Sequence, residues 1–149
     1  MLAMYPENRG LMSSPEVAKQ YIMGGRGVVT LESPSGIHHT YHFKRPQNPN
    51  NFPEDIIFVY AVHQQQKLFY VGMIENGAFR LTTNSRFLND TPIVKGARYI
   101  MRMIDEPDLM NKTEMKLYHE GVCSVCGRKL TSPKSISIGV GPKCLRRHL

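Results

Sequence analysis

Tryptophan is absent from this sequence, and cysteine occurs only three times in 149 residues. An odd and small number of cysteines excludes a disulfide framework as the basis of the fold. Long apolar stretches are also missing, since the run over residues 56–62 is far shorter than the roughly 18 residues that a membrane-spanning helix needs. The first ten residues carry Pro6 and Glu7 where a secretion signal requires an apolar core. We therefore expect an intracellular, cytoplasmic protein without membrane contact.

Acidic residues are absent from residues 121–149, although that segment contains six cations. Residues 1–120 are nearly neutral, with 13 Lys and Arg against 12 Asp and Glu. A dense segment of one charge can be a solvated tail. This segment also contains all three cysteines, which favours an ordered basic module. Its cations are Arg128, Lys129, Lys134, Lys143, Arg146 and Arg147.

The residues before this segment predict an α+β fold. Ser14 and Pro15 are typical of a helix start, and Gly24 is expected to end that helix. A second helix is predicted from Pro92 to a point before Pro107, with an apolar face every three to four residues. Between them lie about five predicted antiparallel strands rich in β-branched and aromatic residues, at residues 28–31, 37–43, 56–62, 68–74 and 78–82.

The cysteines have the spacing of a metal site. Cys123 and Cys126 are separated by two residues, and Cys144 follows after a further 17. Two thiolates at this spacing can face one cation, and a structural zinc site needs four sulfur or nitrogen ligands in a tetrahedron. Gly127 stands where a tight knuckle needs a residue that tolerates positive φ. We therefore predict one structural zinc ion.

Two histidines are candidates for the fourth zinc ligand. If the end of the chain is helical, Cys144 and His148 lie four residues apart on one face. His148 is the penultimate residue, however, and liable to fray. His119, four residues before Cys123, has the better anchored position.

The cysteine region resembles a known family. Residues 118–136 and the closing motif at residues 139–144 are similar to the cysteine module of DUF6011, a family of phage and bacterial proteins of uncharacterised function. Looser similarity extends upstream, so that the resemblance covers residues 14–144. The family pattern has a histidine at the position of His119, which favours His119 over His148 as the fourth ligand. The resemblance implies a metal and a phage origin, and it implies no activity.

The predicted organisation is therefore a sheet-plus-helix domain and a basic zinc module. The first covers residues 1–112, with about five strands and two helices. The second covers residues 113–149 and resembles a zinc knuckle or ribbon. No catalytic residue is identified, because no nucleophile stands beside a recognisable base. We therefore expect a non-catalytic protein.

Two functions fit these features. The leading hypothesis is an accessory protein that binds DNA or RNA through the six carboxyl-terminal cations, because cations along a phosphate backbone release counterions. The alternative is a phage-type interaction protein that inhibits or redirects a host defence, transcription or replication complex through an acidic host surface, with zinc only structural. Base stacking on strand aromatics is a further hypothesis, on residues Tyr41, Phe43, Phe69 and Phe79 with the cations Lys44, Arg45, Arg80 and Arg86.

Overall fold

A single antiparallel sheet organises the chain in the computed structural model, which describes residues 4–52, 55–64 and 66–148. Within these residues the sheet has seven strands in the order β1-β7-β2-β3-β4-β5-β6. The strands are β1 (Gly10–Leu11), β2 (Arg26–Glu32), β3 (His38–Lys44), β4 (Ile56–His63), β5 (Lys67–Glu75), β6 (Ala78–Arg80) and β7 (Lys116–His119). The described part of the chain also contains five α-helices, namely α1 (Pro15–Ile22), α2 (Pro92–Asp105), α3 (Pro107–Lys112), α4 (Pro133–Ile138) and α5 (Pro142–His148). The predicted α+β class is confirmed.

The predicted number of strands is wrong, since the sheet has seven strands instead of five. Five predicted segments correspond to β2 through β6. The two additional strands, β1 and β7, pair with each other, and β7 also pairs with β2. Both are short, and β1 has only two residues, so neither carries a recognisable local pattern. Their pairing partners lie about a hundred residues away along the chain, which sequence periodicity does not register.

The start of helix α1 follows the capping rules. The side chain of Ser14 accepts a hydrogen bond from the backbone N–H of Val17 at 3.4 Å, and Pro15 occupies the first helical position. Helix α1 ends before Gly24, as predicted, and α2 ends at Asp105 before Pro107. The three additional helices, α3 to α5, have six or seven residues each, too short for a clear apolar periodicity.

The main core lies between one face of the sheet and helices α1 and α2. Helix α2 buries seven side chains, and the hydroxyl of buried Tyr41 on β3 donates to the carbonyl of Ile93 at 2.7 Å. Tyr41 and Phe43 are both buried in this core. Because side chains alternate along a strand, their neighbours His42 and Lys44 lie on the opposite face of the sheet.

A second, smaller core is built around two of the cysteines. It contains Cys123, Leu130, Val140 and Cys144, with partly buried neighbours such as Ile136 packed against it. This cluster is separate from the main core, to which Leu117 of β7 belongs. The predicted boundary at residue 112 stays a prediction, and β7 lies on its carboxyl-terminal side while pairing with β2.

None of the helices in the described part of the chain is long and apolar enough to cross a membrane.

Candidate metal centre

The fold brings all three cysteine thiols together. The Sγ atoms of Cys123, Cys126 and Cys144 all lie within 4.8 Å of one another, and none of the three forms a disulfide. Cys123 and Cys144 are buried, whereas Cys126 is half-buried. The cluster can hold a metal ion.

A tight turn orients the first two cysteines. The backbone N–H of Gly127 donates to the carbonyl of Cys123 at 2.9 Å, and the N–H of Cys123 donates to the carbonyl of Arg128 at 2.8 Å. Gly127 has φ 78°, a conformation that glycine adopts without the steric cost of a Cβ. The expectation of a left-handed residue at Gly127 is thus met, and the turn places the thiols of Cys123 and Cys126 on one side.

The third cysteine arrives on helix α5. The loop that precedes it contains Gly139 at φ 74°, and the carbonyl of Gly139 accepts from the N–H of Ser124 at 3.0 Å. The N–H of Gly141 donates to Sγ of Cys123 at 3.3 Å. These bonds fix the loop against the turn, so Cys144 is held close to the other thiols.

Electrostatics at the cluster oppose three thiolates in the absence of a cation. Burial first, and then the nearby thiols of Cys126 and Cys123, raise the pKa of the Cys144 thiol to about 11. Burial also opposes ionisation of Cys123, but hydrogen bonds from backbone N–H groups, that of Gly141 first, leave its pKa below the ordinary value. A bound cation would remove the repulsion among the thiolates.

Residues 117–149 match the model of DUF6011, described as a family of unknown function. The carboxyl-terminal segment of this chain resembles DUF6011. The match confirms the resemblance drawn from the cysteine motif over these residues, which we call the DUF6011 segment. The looser resemblance from residue 14 onward lies outside the match and stays a prediction. No curated protein and no solved structure matches the chain.

His119, the preferred fourth ligand, is the last residue of β7 and has both ring nitrogens engaged. Nδ1 accepts from the N–H of Gly121 at 3.1 Å, which assigns the proton to Nε2, and Nε2 donates to the carbonyl of Ile136 at 2.5 Å. Burial lowers the pKa of the imidazole, partly offset by Ile136 and Glu120. The ring stacks on Tyr21 with centroids 5.3 Å apart. Among the described residues, the cluster of close ligand atoms contains the three cysteines without His119.

His148 is the last residue of α5, four residues after Cys144. The condition stated for this ligand, a helix that includes both residues, is met, so the spacing between them is that of one helical turn. The side chain of His148 lies outside the described part of the structure. The identity of the fourth ligand stays a prediction.

Hydrogen bonds connect the DUF6011 segment to strand β2 and helix α1. The hydroxyl of Tyr21 on α1 accepts from the N–H of Val28 at 3.2 Å and donates to the carbonyl of Val122 at 2.8 Å. The N–H of Arg26 donates to the carbonyl of Ser124 at 2.7 Å. These bonds connect β2 to the residues directly around the first cysteine, so the cluster has a fixed position relative to the sheet.

The carboxylate of Glu120, three residues before Cys123 in the sequence, has a buried position and partners that the sequence did not predict. Glu120 is 2 % exposed, accepts from Arg9 at 2.6 Å and accepts from the hydroxyl of Thr30. The guanidinium of Arg9 also lies over the ring of Tyr118, 4.3 Å from its centroid. The partners of Glu120 are 90 and 111 residues distant along the chain, and no local motif indicates such a pairing.

The predicted nucleic-acid-binding cations of the DUF6011 segment lie at its surface where they are described. Arg128, Lys129, Lys134 and Lys143 are exposed. Lys129 lies 3.4 Å from the carboxylate of Glu7, which compensates part of its charge. The side chains of Arg146 and Arg147 lie outside the described part of the structure.

A cavity of about 740 Å³ lies between the cysteine turn and strands β2 and β3. We call it the knuckle groove. The cations Arg26, Lys44 and Arg45 line it, and none of the described residues that line it is acidic. The other lining residues are Gly24, Gly25, Gly27, Val28, His42, Pro46, Gln47, Leu68, Val122, Val125, Cys126 and Gly127.

Proposed function

We propose that the chain is a non-catalytic, zinc-containing protein that binds nucleic acid through its carboxyl-terminal module. The observation that carries this proposal is the convergence of three thiols within 4.8 Å inside a segment that has six cations and no acid at residues 121–149. A metal ion bound there would hold a small basic module in one conformation.

The donor set supports zinc. A tetrahedral zinc ion with Zn–S bonds of about 2.3 Å places its sulfur ligands about 3.8 Å apart, and the three thiols, all within 4.8 Å of one another, are compatible with that separation. Thiolate ligands also favour zinc over calcium or magnesium, which prefer oxygen. The small core around the cysteines contains four buried residues, so a metal ion would supply stability that apolar packing alone does not.

We propose His148 as the fourth ligand, in place of the family-based preference for His119. Both ring nitrogens of His119 already have backbone partners. Binding of a metal ion to either nitrogen would break that nitrogen's hydrogen bond and leave its backbone partner unpaired. His148 is one helical turn from Cys144 in α5, a spacing at which two side chains reach one ion.

Metal analysis of the purified chain tests the zinc centre. We expect close to one equivalent of zinc, and loss of that zinc in Cys126→Ser, because removal of a thiolate ligand eliminates much of the metal affinity. Ser137→Ala, a substitution at an exposed site in α4, is the control and should retain the metal. Less than half an equivalent of any transition metal, with three titratable thiols, would contradict the proposal.

Nucleic-acid binding is tested by salt titration. The log of the affinity for DNA or RNA should fall linearly with the log of the salt concentration, and the double variant Lys134→Gln, Lys143→Gln should reduce the slope by roughly one unit per lost phosphate contact. The matched control is Lys95→Gln with Lys112→Gln, which removes two exposed cations from α2 and α3. Absence of binding tighter than about 10⁻⁴ M near physiological salt would exclude nucleic acid and favour a protein partner.

A further inference from the structure

The face of the sheet opposite the main core carries half-buried aromatic rings. His42, Tyr60 and Tyr70 are directly paired across β3, β4 and β5, and Lys44 and Phe58 are paired in the neighbouring row. Phe58, Tyr60 and Tyr70 are all partly exposed. We call these three rings the aromatic face.

The rings of the aromatic face contact one another at their edges. The centroids of Tyr60 and Tyr70 are 5.8 Å apart with an interplanar angle of 66°, and those of Phe58 and Tyr70 are 6.2 Å apart at 64°. The ammonium of Lys44 lies 5.5 Å from the centroid of Tyr60. Edge-to-face packing covers the ring faces only in part, and the ammonium of Lys44 lies over the ring of Tyr60.

The knuckle groove offers cations and an unpartnered polar atom. Arg45 is held by the carboxylate of Asp55 and by the carbonyl of Met23, and Arg26 donates to the carbonyl of Cys126 at 3.3 Å. His42 is 6 % exposed, lines the groove, and its Nε2 has no hydrogen-bond partner among the described residues. A buried polar atom without a partner is costly, so a ligand group or water in the groove would stabilise this arrangement.

The groove and the aromatic face form one continuous surface. Leu68 lines both the knuckle groove and a second cavity of about 560 Å³, which Phe58, Tyr60 and Tyr70 also line. Arg86 lines that second cavity as well, with its guanidinium 5.2 Å from the ring centroid of Phe69. Cations therefore line both cavities, with Arg26, Lys44 and Arg45 in the knuckle groove and Arg86 in the second cavity.

We infer that single-stranded nucleic acid lies across this surface, with phosphates in the knuckle groove and unpaired bases stacked on Tyr60 and Tyr70. The inference rests on the proposed nucleic-acid binding and adds the strandedness and the contact residues. Ring faces bind unpaired bases by stacking, whereas bases in a duplex are stacked on each other and inaccessible. Stacking on rings is tolerant of sequence, and a basic groove tracks the backbone.

This inference assigns base stacking to other aromatic residues than the sequence analysis did. Tyr41 and Phe43 are buried in the main core under α2 and cannot meet a base. Tyr60 and Tyr70, one residue out of phase with the core positions of their strands, take that role. The cations Lys44, Arg45 and Arg86 are common to both sets.

The experiment measures binding of the zinc-loaded full chain to a labelled oligothymidylate of about 12 nucleotides, to the corresponding oligouridylate and to a duplex of equal length. We expect tighter binding to the single strands. Tyr60→Leu should weaken that binding by about fivefold or more, because a stacked base contributes roughly 1 kcal/mol at least, whereas the control Tyr60→Phe keeps the ring face and should bind like the parent. Circular dichroism and zinc content check that each variant is folded.

Lys44→Gln provides an independent test that leaves the aromatic rings intact. It should reduce the salt slope for the single strand by roughly 0.7, the value for one lost phosphate contact. Lys95→Gln, on the distant face of α2, should leave the slope unchanged. This comparison decides the question if Tyr60→Leu does not fold.

The outcomes separate this inference from the proposed function. The inference is overturned, and the proposed function remains, if the chain binds duplex as tightly as single strands or more tightly. The same conclusion follows if Tyr60→Leu and Lys44→Gln leave single-strand binding unchanged while the double variant Lys134→Gln, Lys143→Gln loses affinity. Failure of the parent chain to bind either nucleic acid overturns the proposed function, and the inference with it. Loss of binding in Tyr60→Leu with retention in Tyr60→Phe supports both.

Discussion

Removal of one oxygen atom, in Tyr21→Phe, should weaken the connection between the cysteine turn and the sheet. Tyr21 is fully buried, and its hydroxyl accepts from the N–H of Val28 at 3.2 Å and donates to the carbonyl of Val122 at 2.8 Å. Phenylalanine keeps the ring, its packing and its stacking on His119, so the apolar burial hardly changes. The substitution leaves one donor and one acceptor buried without this partner.

The magnitude follows from the number of orphaned groups. A buried donor or acceptor without a partner costs about 1–3 kcal/mol. For the carbonyl of Val122 we expect a cost at the lower end of this range, because the rest of its segment stays intact. We expect the free energy of unfolding to fall by about 2–4 kcal/mol in Tyr21→Phe. The control is Tyr41→Phe, another fully buried tyrosine, whose hydroxyl donates only to the carbonyl of Ile93 in the described contacts, and it should cost about 1 kcal/mol.

Urea unfolding of the zinc-loaded chain, followed by circular dichroism, measures both variants. Because Val122 precedes Cys123, Tyr21→Phe should also release zinc to a chelator faster than the parent chain does, while Tyr41→Phe should not. Loss of stability in Tyr21→Phe within about 0.5 kcal/mol of that in Tyr41→Phe, with equal rates of zinc release, would refute the bridging role of the hydroxyl.

Three further predictions concern the fourth ligand, acid stability and a glycine. His148→Ala should weaken zinc retention against a chelator by roughly 10–100-fold or more, the effect of losing an interaction that supports a metal site. His119→Ala should retain zinc far better, and the reverse order would make His119 the fourth ligand. Burial, and after it Lys44, lowers the pKa of His42 from 6.5 to about 4. Because the unfolded chain binds the proton more readily, the free energy of unfolding should decline by at most about 3 kcal/mol as the pH falls from about 6.5 to 4. Urea unfolding at several pH values should show a shallower decline for His42→Gln, and an equal decline would contradict this role of His42. Gly139→Ala should destabilise the chain more than Gly36→Ala in the same assay, because both glycines have positive φ but only at Gly139 would a Cβ collide with the ring of Tyr21; equal losses would mean that the backbone conformation alone decides.

Local sequence signals were sufficient for the elements whose causes are local. Ser14 and Pro15 start α1 because capping and the fixed φ of proline act within one turn. The apolar positions of α2 are the ones that the structure buries. The cysteine turn belongs to the same class, since two residues between Cys123 and Cys126 and a glycine after them specify the turn directly.

The convergence of Cys144 with that turn was also predictable, because the spacing of metal ligands is constrained by coordination chemistry. The third cysteine follows a loop whose length is typical of zinc knuckles and ribbons, and the fold brings its thiol to the others. The surroundings of His119 were not predictable in this way. Its ring is held by Gly121 and by Ile136, 17 residues away, and that contact depends on where α4 packs.

The sequence by itself determined the α+β class, the cysteine cluster and the excess of positive charge, because local propensity, ligand spacing and composition depend on near neighbours or on none. The tertiary structure decided which face of each strand is covered. Period-two alternation separates Tyr41 from His42, yet it does not say which of the two meets helix α2. That choice buries Tyr41, leaves Tyr60 and Tyr70 partly exposed, and places the knuckle groove beside them, because long-range pairing and helix packing fix the covered face only once the whole sheet has formed.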